Sequence, residues 1–257
     1  MATTAIQTRC LIHTGAYFLA HVNGDDIPNH DHHYVNYFKS SDGITWQDTG
    51  WGGWDADLLD IIAMAADPDG DNGNGITLGL AESYPKLFRT DKNLTSHSEI
   101  TDTPNGNFIA FGGGTWIIVG DSGAVYTSTD GGQNWTQRSL ANGVTANLYG
   151  AIYGDGIWVV CGANGTIQYS TDDGVTWHAA TPADSFSGTF YGAAYGRTFF
   201  VVCGENGEIQ SSSSPGDSWT HRDAAESYNK TFKAVAWGTP YFCLVGEDGE
   251  IQYVEVN

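Results

Sequence analysis

One octet recurs along the chain at a nearly fixed spacing, and this repeat restricts the possible folds more than any other feature. Ser170-Thr171-Asp172-Asp173-Gly174-Val175-Thr176-Trp177 and Ser128-Thr129-Asp130-Gly131-Gly132-Gln133-Asn134-Trp135 share the pattern Ser-x-Asp-x-Gly-x-x-Trp. A copy one residue shorter carries Ser40, Asp42, Gly43 and Trp46. Another keeps Ser212, Gly216 and Trp219 but has lost the carboxylate, and Thr90-Asp91-Lys92-Asn93 is a remnant. The markers at positions 42, 91, 130, 172 and 214 are 49, 39, 42 and 42 residues apart. That is the period of a four-stranded propeller blade.

The segments between markers support the same unit. Leu148-Tyr-Gly-Ala-Ile-Tyr-Gly154 aligns with Phe190-Tyr-Gly-Ala-Ala-Tyr-Gly196 and Phe232-Lys-Ala-Val-Ala-Trp-Gly238, and each is followed by a second apolar run. Ser122-Gly123, Asn164-Gly165, Asn206-Gly207 and Asp248-Gly249 then interrupt the pattern. Such pairs tolerate the positive φ of a two-residue hairpin whose twist matches its strands. The expectation is an all-β, six-bladed β-propeller of four-stranded antiparallel blades, with seven blades as the alternative. Blades are expected near 8–50, 57–100, 107–140, 147–181, 189–223 and 231–257, forming one domain over 1–257. The last blade runs out after three strands, so residues 2–7 are expected to supply its outer strand and close the ring.

Composition narrows the partners. Thirty acidic against ten basic residues give a formal charge of −20, which argues against nucleic acid, because phosphates need Lys and Arg to displace their counterions. No apolar run is long enough to span a bilayer, and the N-terminus lacks a basic stretch followed by an apolar core, so neither membrane insertion nor a secretory leader is expected. Cys10, Cys161, Cys203 and Cys243 show no CxxC spacing; Cys161 and Cys203 occupy matching strand positions, and Cys243 lies two residues earlier with the same strand parity. They are expected to be buried free thiols rather than disulfides.

The octets resemble the Asp-box, or BNR, repeat of sialidases and of many non-enzymatic propellers. The Gly-x-Trp and Gly-x-Ile-x-x-Ser-x-Asp patterns resemble photosystem II assembly-factor-like propellers. The resemblance implies that each box sits between the third and fourth strands, fixes the hairpin and packs its Trp between sheets, a folding role rather than a catalytic one. A sialidase would need an arginine triad. The chain has only Arg9, Arg89, Arg138, Arg197 and Arg222, without that family's Phe-Arg-Ile-Pro motif. No catalytic residue is therefore assigned. A glycoside hydrolase, which needs only two suitably separated carboxylates, stays as an alternative.

Function is expected where the repeat departs from itself. The loop Asn23–His33 replaces a two-residue turn and carries His30, Asp31, His32 and His33, a donor set compatible with a transition metal. Gly50–Asp57, read as a link between blades, offers Trp51, Trp54, Asp55 and Asp57 to a sugar ring or a protein partner. Asp67, Asp69 and Asp71 resemble the start of a calcium loop, although Asn72 takes the usual glycine position and no Glu closes it. The combined expectation is a non-enzymatic binding or structural module. Its leading setting, by resemblance, is a tailed-virus particle, as a tail or surface component recognising a protein or a cell-surface glycan. A cytoplasmic lectin or assembly-factor propeller is the alternative, and a homo-oligomer is compatible with either.

Overall fold

The computed structural model describes residues 6–13, 18–24, 34–41, 45, 47–53, 61–70, 73–81, 87–91, 97–100, 103–224 and 228–256. The described residues form six antiparallel sheets in chain order. The first comprises β1 (Ile6–His13), β2 (Phe18–Gly24), β3 (Tyr34–Ser40) and β4 (Gln47–Gly53); the second β5 (Ile61–Asp67), β6 (Ile76–Ala81), β7 (Leu87–Thr90) and β8 (His97–Ile100). The third comprises β9 (Phe108–Gly112), β10 (Thr115–Val119), β11 (Val125–Ser128) and β12 (Thr136–Arg138); the fourth β13 (Leu148–Gly154), β14 (Ile157–Gly162), β15 (Ile167–Ser170) and β16 (His178–Ala180). The fifth comprises β17 (Phe190–Gly196), β18 (Phe199–Gly204), β19 (Ile209–Ser212) and β20 (Thr220–His221), and the sixth β21 (Phe232–Gly238), β22 (Tyr241–Gly246) and β23 (Ile251–Val254). In every sheet the strands pair in sequence order, so each is a meander of hairpins. Two compact units emerge: residues 1–109 with 129–135, and residues 110–128 with 136–257.

In the third, fourth and fifth sheets burial is deepest in the second strands and least in the fourth. β10 is buried throughout, and β14 and β18 are buried at all but their first residue. Their sequences, Thr-Trp-Ile-Ile-Val, Ile-Trp-Val-Val-Cys-Gly and Phe-Phe-Val-Val-Cys-Gly, are near-continuous apolar runs, as expected of strands covered on both faces. The fourth strands are short and polar, and β12, β16 and β20 have no fully buried residue. Cys161 and Cys203 lie buried in the second strands and Cys243 is half-buried; all three are free thiols, as expected. Burial pushes the Cys161 thiol up to about 12 and raises Cys203 as well, so both behave as small apolar side chains.

An aromatic step repeats from sheet to sheet. In the third to sixth sheets the penultimate residue of the first strand meets the aromatic near the start of the second: Phe111–Trp116 at 4.7 Å, Tyr153–Trp158 at 5.3 Å, Tyr195–Phe200 at 4.7 Å and Trp237–Phe242 at 4.7 Å between centroids. The Tyr153, Tyr195 and Trp237 side chains also lie against the glycine that ends the preceding first strand. A Cβ at Gly112 would sit 2.2 Å from Tyr153, at Gly154 2.1 Å from Tyr195 and at Gly196 2.2 Å from Trp237. Glycine is required there by the close approach of the next sheet.

The turns between second and third strands take the expected form. Ser122, Asn206 and Asp248 have φ near 57–60° with small positive ψ, and the following glycines are also at positive φ. Each turn closes with an i to i+3 bond, such as Ala124 N to Asp121 O at 3.1 Å and Glu208 N to Glu205 O at 3.0 Å. The segment entering a sheet is then pinned by a glutamine of that sheet's third strand. Gln168 and Gln210, both fully buried, accept from the amides of Ala141 (3.0 Å) and Ala183 (2.8 Å), in each case 27 residues upstream.

Two expectations at the chain ends and in the first sheet are changed by the strand bounds. Ile6 and Gln7 lie in β1, paired with Gly24 and Asn23; the remainder of the expected closing strand lies outside the described residues. Gly50–Gly53 is not a link: these residues continue β4, with Gly52 and Gly53 paired to Asn36 and Val35. A register shift between Asn36 and Phe38 absorbs the extra residues and carries the strand through a glycine-rich stretch that reads as a loop.

Candidate binding surface

The octets occupy the hairpins between third and fourth strands, with their acidic groups turned inward on their own backbones. Asp172 accepts from Thr176 N at 2.8 Å, Thr176 Oγ1 at 2.6 Å and Ser170 Oγ at 2.8 Å, and these bonds, that from the Thr176 hydroxyl foremost, hold its carboxyl at about 2. Asp130 does the same for the amides of Gln133 (3.0 Å) and Asn134 (2.9 Å) and for the Asn134 side chain (2.7 Å). The indole N–H of Trp135, Trp177 and Trp219 donates to the carbonyl of Gly132 (2.9 Å), Gly174 (3.0 Å) and Pro215 (3.2 Å). Ser170 Oγ also accepts from Gly174 N at 3.0 Å, while Ser212 Oγ accepts from Ser214 N at 3.1 Å in the copy that lacks the carboxylate. Within the first unit, Gly131 and Gly132 face Ile76 and Leu78 of β6. Within the second, Gly174 faces Ile117 and Thr127, and Gly216 faces the Tyr169 ring. The hairpin therefore reaches the preceding sheet through a glycine, and a bulkier residue there would collide with it. Asp42, Gly43 and Trp46 lie outside the described residues, and Ser40 ends β3.

The loop residues picked out by sequence are described only in part. Trp51 lies in β4, whereas Trp54, Asp55 and Asp57 lie outside the described residues, as do His30, Asp31, His32 and His33. Asp67 ends β5, and its Oδ1 accepts from the amides of Asp69 (3.1 Å) and Gly70 (3.0 Å). Asp69 follows in the turn, where its carbonyl accepts from Gly73 N at 3.2 Å; Asp71 lies outside the described residues.

Sequence reasoning missed a row of side chains at the start of the first strands in the second unit. The β13–β14 register slips between Leu148 and Gly150, the β17–β18 register between Phe190 and Gly192, and the β21–β22 register between Phe232 and Ala234. Tyr149, Tyr191 and Lys233 are thus the bulge residues of three successive sheets, and a bulge re-aims its side chain out of the strand's alternation. They come together as a row: the Tyr149 and Tyr191 rings lie 5.3 Å apart, and Lys233 Nζ stands 4.7 Å over the Tyr191 ring. Both tyrosines are half-buried and Lys233 is exposed. The signal was available in the aligned columns Leu-Tyr-Gly, Phe-Tyr-Gly and Phe-Lys-Ala, where a large polar-tipped residue sits between an apolar residue and a small one.

Carboxylates of the second-to-third-strand turns border this row. Tyr191 Oη donates to Glu205 Oε1 at 3.4 Å, and Glu205 Oε2 accepts from Thr189 N at 2.9 Å. Lys233 Nζ pairs with Glu247 Oε1 at 3.3 Å, and Glu247 Oε2 accepts from Thr231 N at 3.3 Å. The bond from Thr231 N and the Lys233 ammonium lower the Glu247 carboxyl, and burial, then the Glu205 charge, raises the Tyr191 phenol. Asn147 completes the border, accepting from Ser122 N at 3.0 Å and donating to Tyr149 Oη at 3.5 Å. The result is a shallow surface of two aromatic rings edged by carboxylates and one ammonium. Half-exposed tyrosines with polar tips are suited to contact with a protein.

Comparison with known proteins places this fold. Three solved structures resemble the chain. The WD40 repeats of RRP9 align with a TM-score of 0.67 at 10% identity, covering 100% of this chain and 78% of that one. U3-55K aligns at 0.66 and 10%, covering 100% and 79%. YCF48, solved bound to a D1 peptide, aligns at 0.64 and 16%, covering 98% and 79%. No curated protein sequence matches. The family model described as the DUF6242 beta propeller domain matches residues 92–237, more than half of the chain. The fold is an all-β propeller, and the chain belongs to the DUF6242 beta propeller domain family.

Proposed function

We propose that the chain is a non-enzymatic binding module, one domain over residues 1–257, whose protein partner docks on the Tyr149–Tyr191–Lys233 row and the turns around it. The observation that carries this reading is the bulge in three successive sheets, which turns the same column of residues out of its strands. The likeness to YCF48, whose structure holds a bound peptide, supports a protein partner for a propeller of this shape. The carboxylates most suggestive of catalysis, Asp130 and Asp172, spend their oxygens on hairpin bonds, which supports a folding role for the octets and their assignment as Asp-boxes. Trp51, Trp54, Asp55 and Asp57 remain a second contact in this proposal, for a protein or a glycan. The virion setting rests on the repeat resemblance alone. The two metal loops, at His30–His33 and at Asp67–Asp71, are tested by elemental analysis of purified protein, where only trace zinc, nickel, iron and calcium would end both.

The docking proposal is tested by replacing Tyr149 and Tyr191 together with alanine and measuring capture of the partner from the cells that produce the chain. Aromatic anchors of this kind are each worth about 2 kcal/mol, so capture should fall by about two orders of magnitude or more with the far-ultraviolet dichroism unchanged. Undiminished capture would remove the row from the interface.

A further inference from the structure

The row contains its own model of a bound cation. In the sixth sheet, the bulge residue Lys233 stands over the Tyr191 ring and pairs with Glu247, the first residue of that sheet's second-to-third-strand turn. The fifth sheet repeats the arrangement one step back: its bulge residue Tyr191 stands beside the Tyr149 ring and meets Glu205, the first residue of its own turn. The two carboxylates are held alike, each with one oxygen accepting a backbone amide, Thr189 N for Glu205 and Thr231 N for Glu247. They differ in what neutralises them. Glu247 has an ammonium, whereas Glu205 has only a phenol at 3.4 Å, and among the described residues it forms no ion pair.

A carboxylate offers about four acceptor directions, and Glu205 fills two of them. It is half-buried at the edge of the tyrosine pair, where its charge is screened less than a fully exposed one. The chain's charge of −20 would draw a basic partner toward it, because a potential of one sign steers the opposite charge. Resting on the docking reading above, we propose that the partner presents a basic side chain to Glu205 beside Tyr149 and Tyr191. It would complete there the ion pair that Lys233 completes for Glu247.

The test uses the full chain and fluorescently labelled Gly-Ser peptides, one carrying spaced arginines and the other glutamates in the same places, followed by anisotropy. The arginine probe should bind and the glutamate probe should not. Glu205→Gln should weaken the arginine probe about tenfold, while Glu255→Gln, at an exposed carboxylate paired with Arg197, should leave it within twofold. Tyr191→Lys supplies Glu205 with an internal ammonium, as Lys233 does for Glu247, and should block the probe as strongly as Glu205→Gln. Equal losses from Glu205→Gln and Glu255→Gln would show attraction to net charge alone and overturn the proposal, as would full binding by Tyr191→Lys. If partner capture falls with the double tyrosine variant but not with Glu205→Gln, the surface stands and the basic side chain is wrong.

Discussion

At the scale of single residues, the octet carboxylate shows how a group that looks catalytic is committed to structure. Asp172 holds the backbone and hydroxyl of Thr176 and the hydroxyl of Ser170, and those bonds exist fully only while it is ionised. Its folded pKa, about 2, lies below the unfolded value near 3.8, so its contribution is present above pH ~4 and is lost as pH falls toward ~2. Replacing Asp172 with asparagine should therefore lower the melting temperature at pH 7, with the gap to wild type closing between pH ~4 and ~2. The exposure of the group keeps the loss near 1 kcal/mol, the size of a lost turn hydrogen bond. Melting curves of both proteins across that range make the check, and a gap that does not change with pH would contradict it.

At the scale of elements, the contact between consecutive sheets rests on absent side chains as much as on present ones. A methyl group at Gly196 would overlap the Trp237 ring at 2.2 Å, with no flexible chain end to yield. Gly196→Ala should destabilise by about 1–3 kcal/mol, the range for overpacking a filled core, whereas Gly238→Ala meets nothing within 4 Å and should be nearly neutral. Urea unfolding of the two variants separates these outcomes. The strand order, the hairpin turns and the octet positions were legible in sequence because each depends on local chemistry: runs of apolar residues, a glycine at positive φ, a carboxylate near its own backbone. The glutamine clasps Gln168–Ala141 and Gln210–Ala183 were not, since they join residues 27 apart with no local consequence. The bulge row was hidden for a related reason. A bulge is a register event between two strands, and Tyr149, Tyr191 and Lys233 read along one strand as ordinary members of it. The stretch Gly50–Gly53 misled in the opposite direction, its glycines suggesting a loop where the ladder to β3 continues.

At the scale of the whole molecule, the proposed function assigns recognition in this acidic propeller to side chains that strand geometry turns outward, because the described octet carboxylates are held by their own hairpins. The proposal of one domain over residues 1–257 implies one cooperative transition in scanning calorimetry, and two separable transitions would refute it. The central claim concerns where a partner sits, and site-specific photo-crosslinking in the producing cell tests it most directly. A benzophenone side chain would replace Tyr149 in one protein and Val175, exposed at the tip of an octet hairpin, in another. The account predicts a discrete protein adduct from position 149 and none from position 175; an adduct from 175 with none from 149 would contradict it.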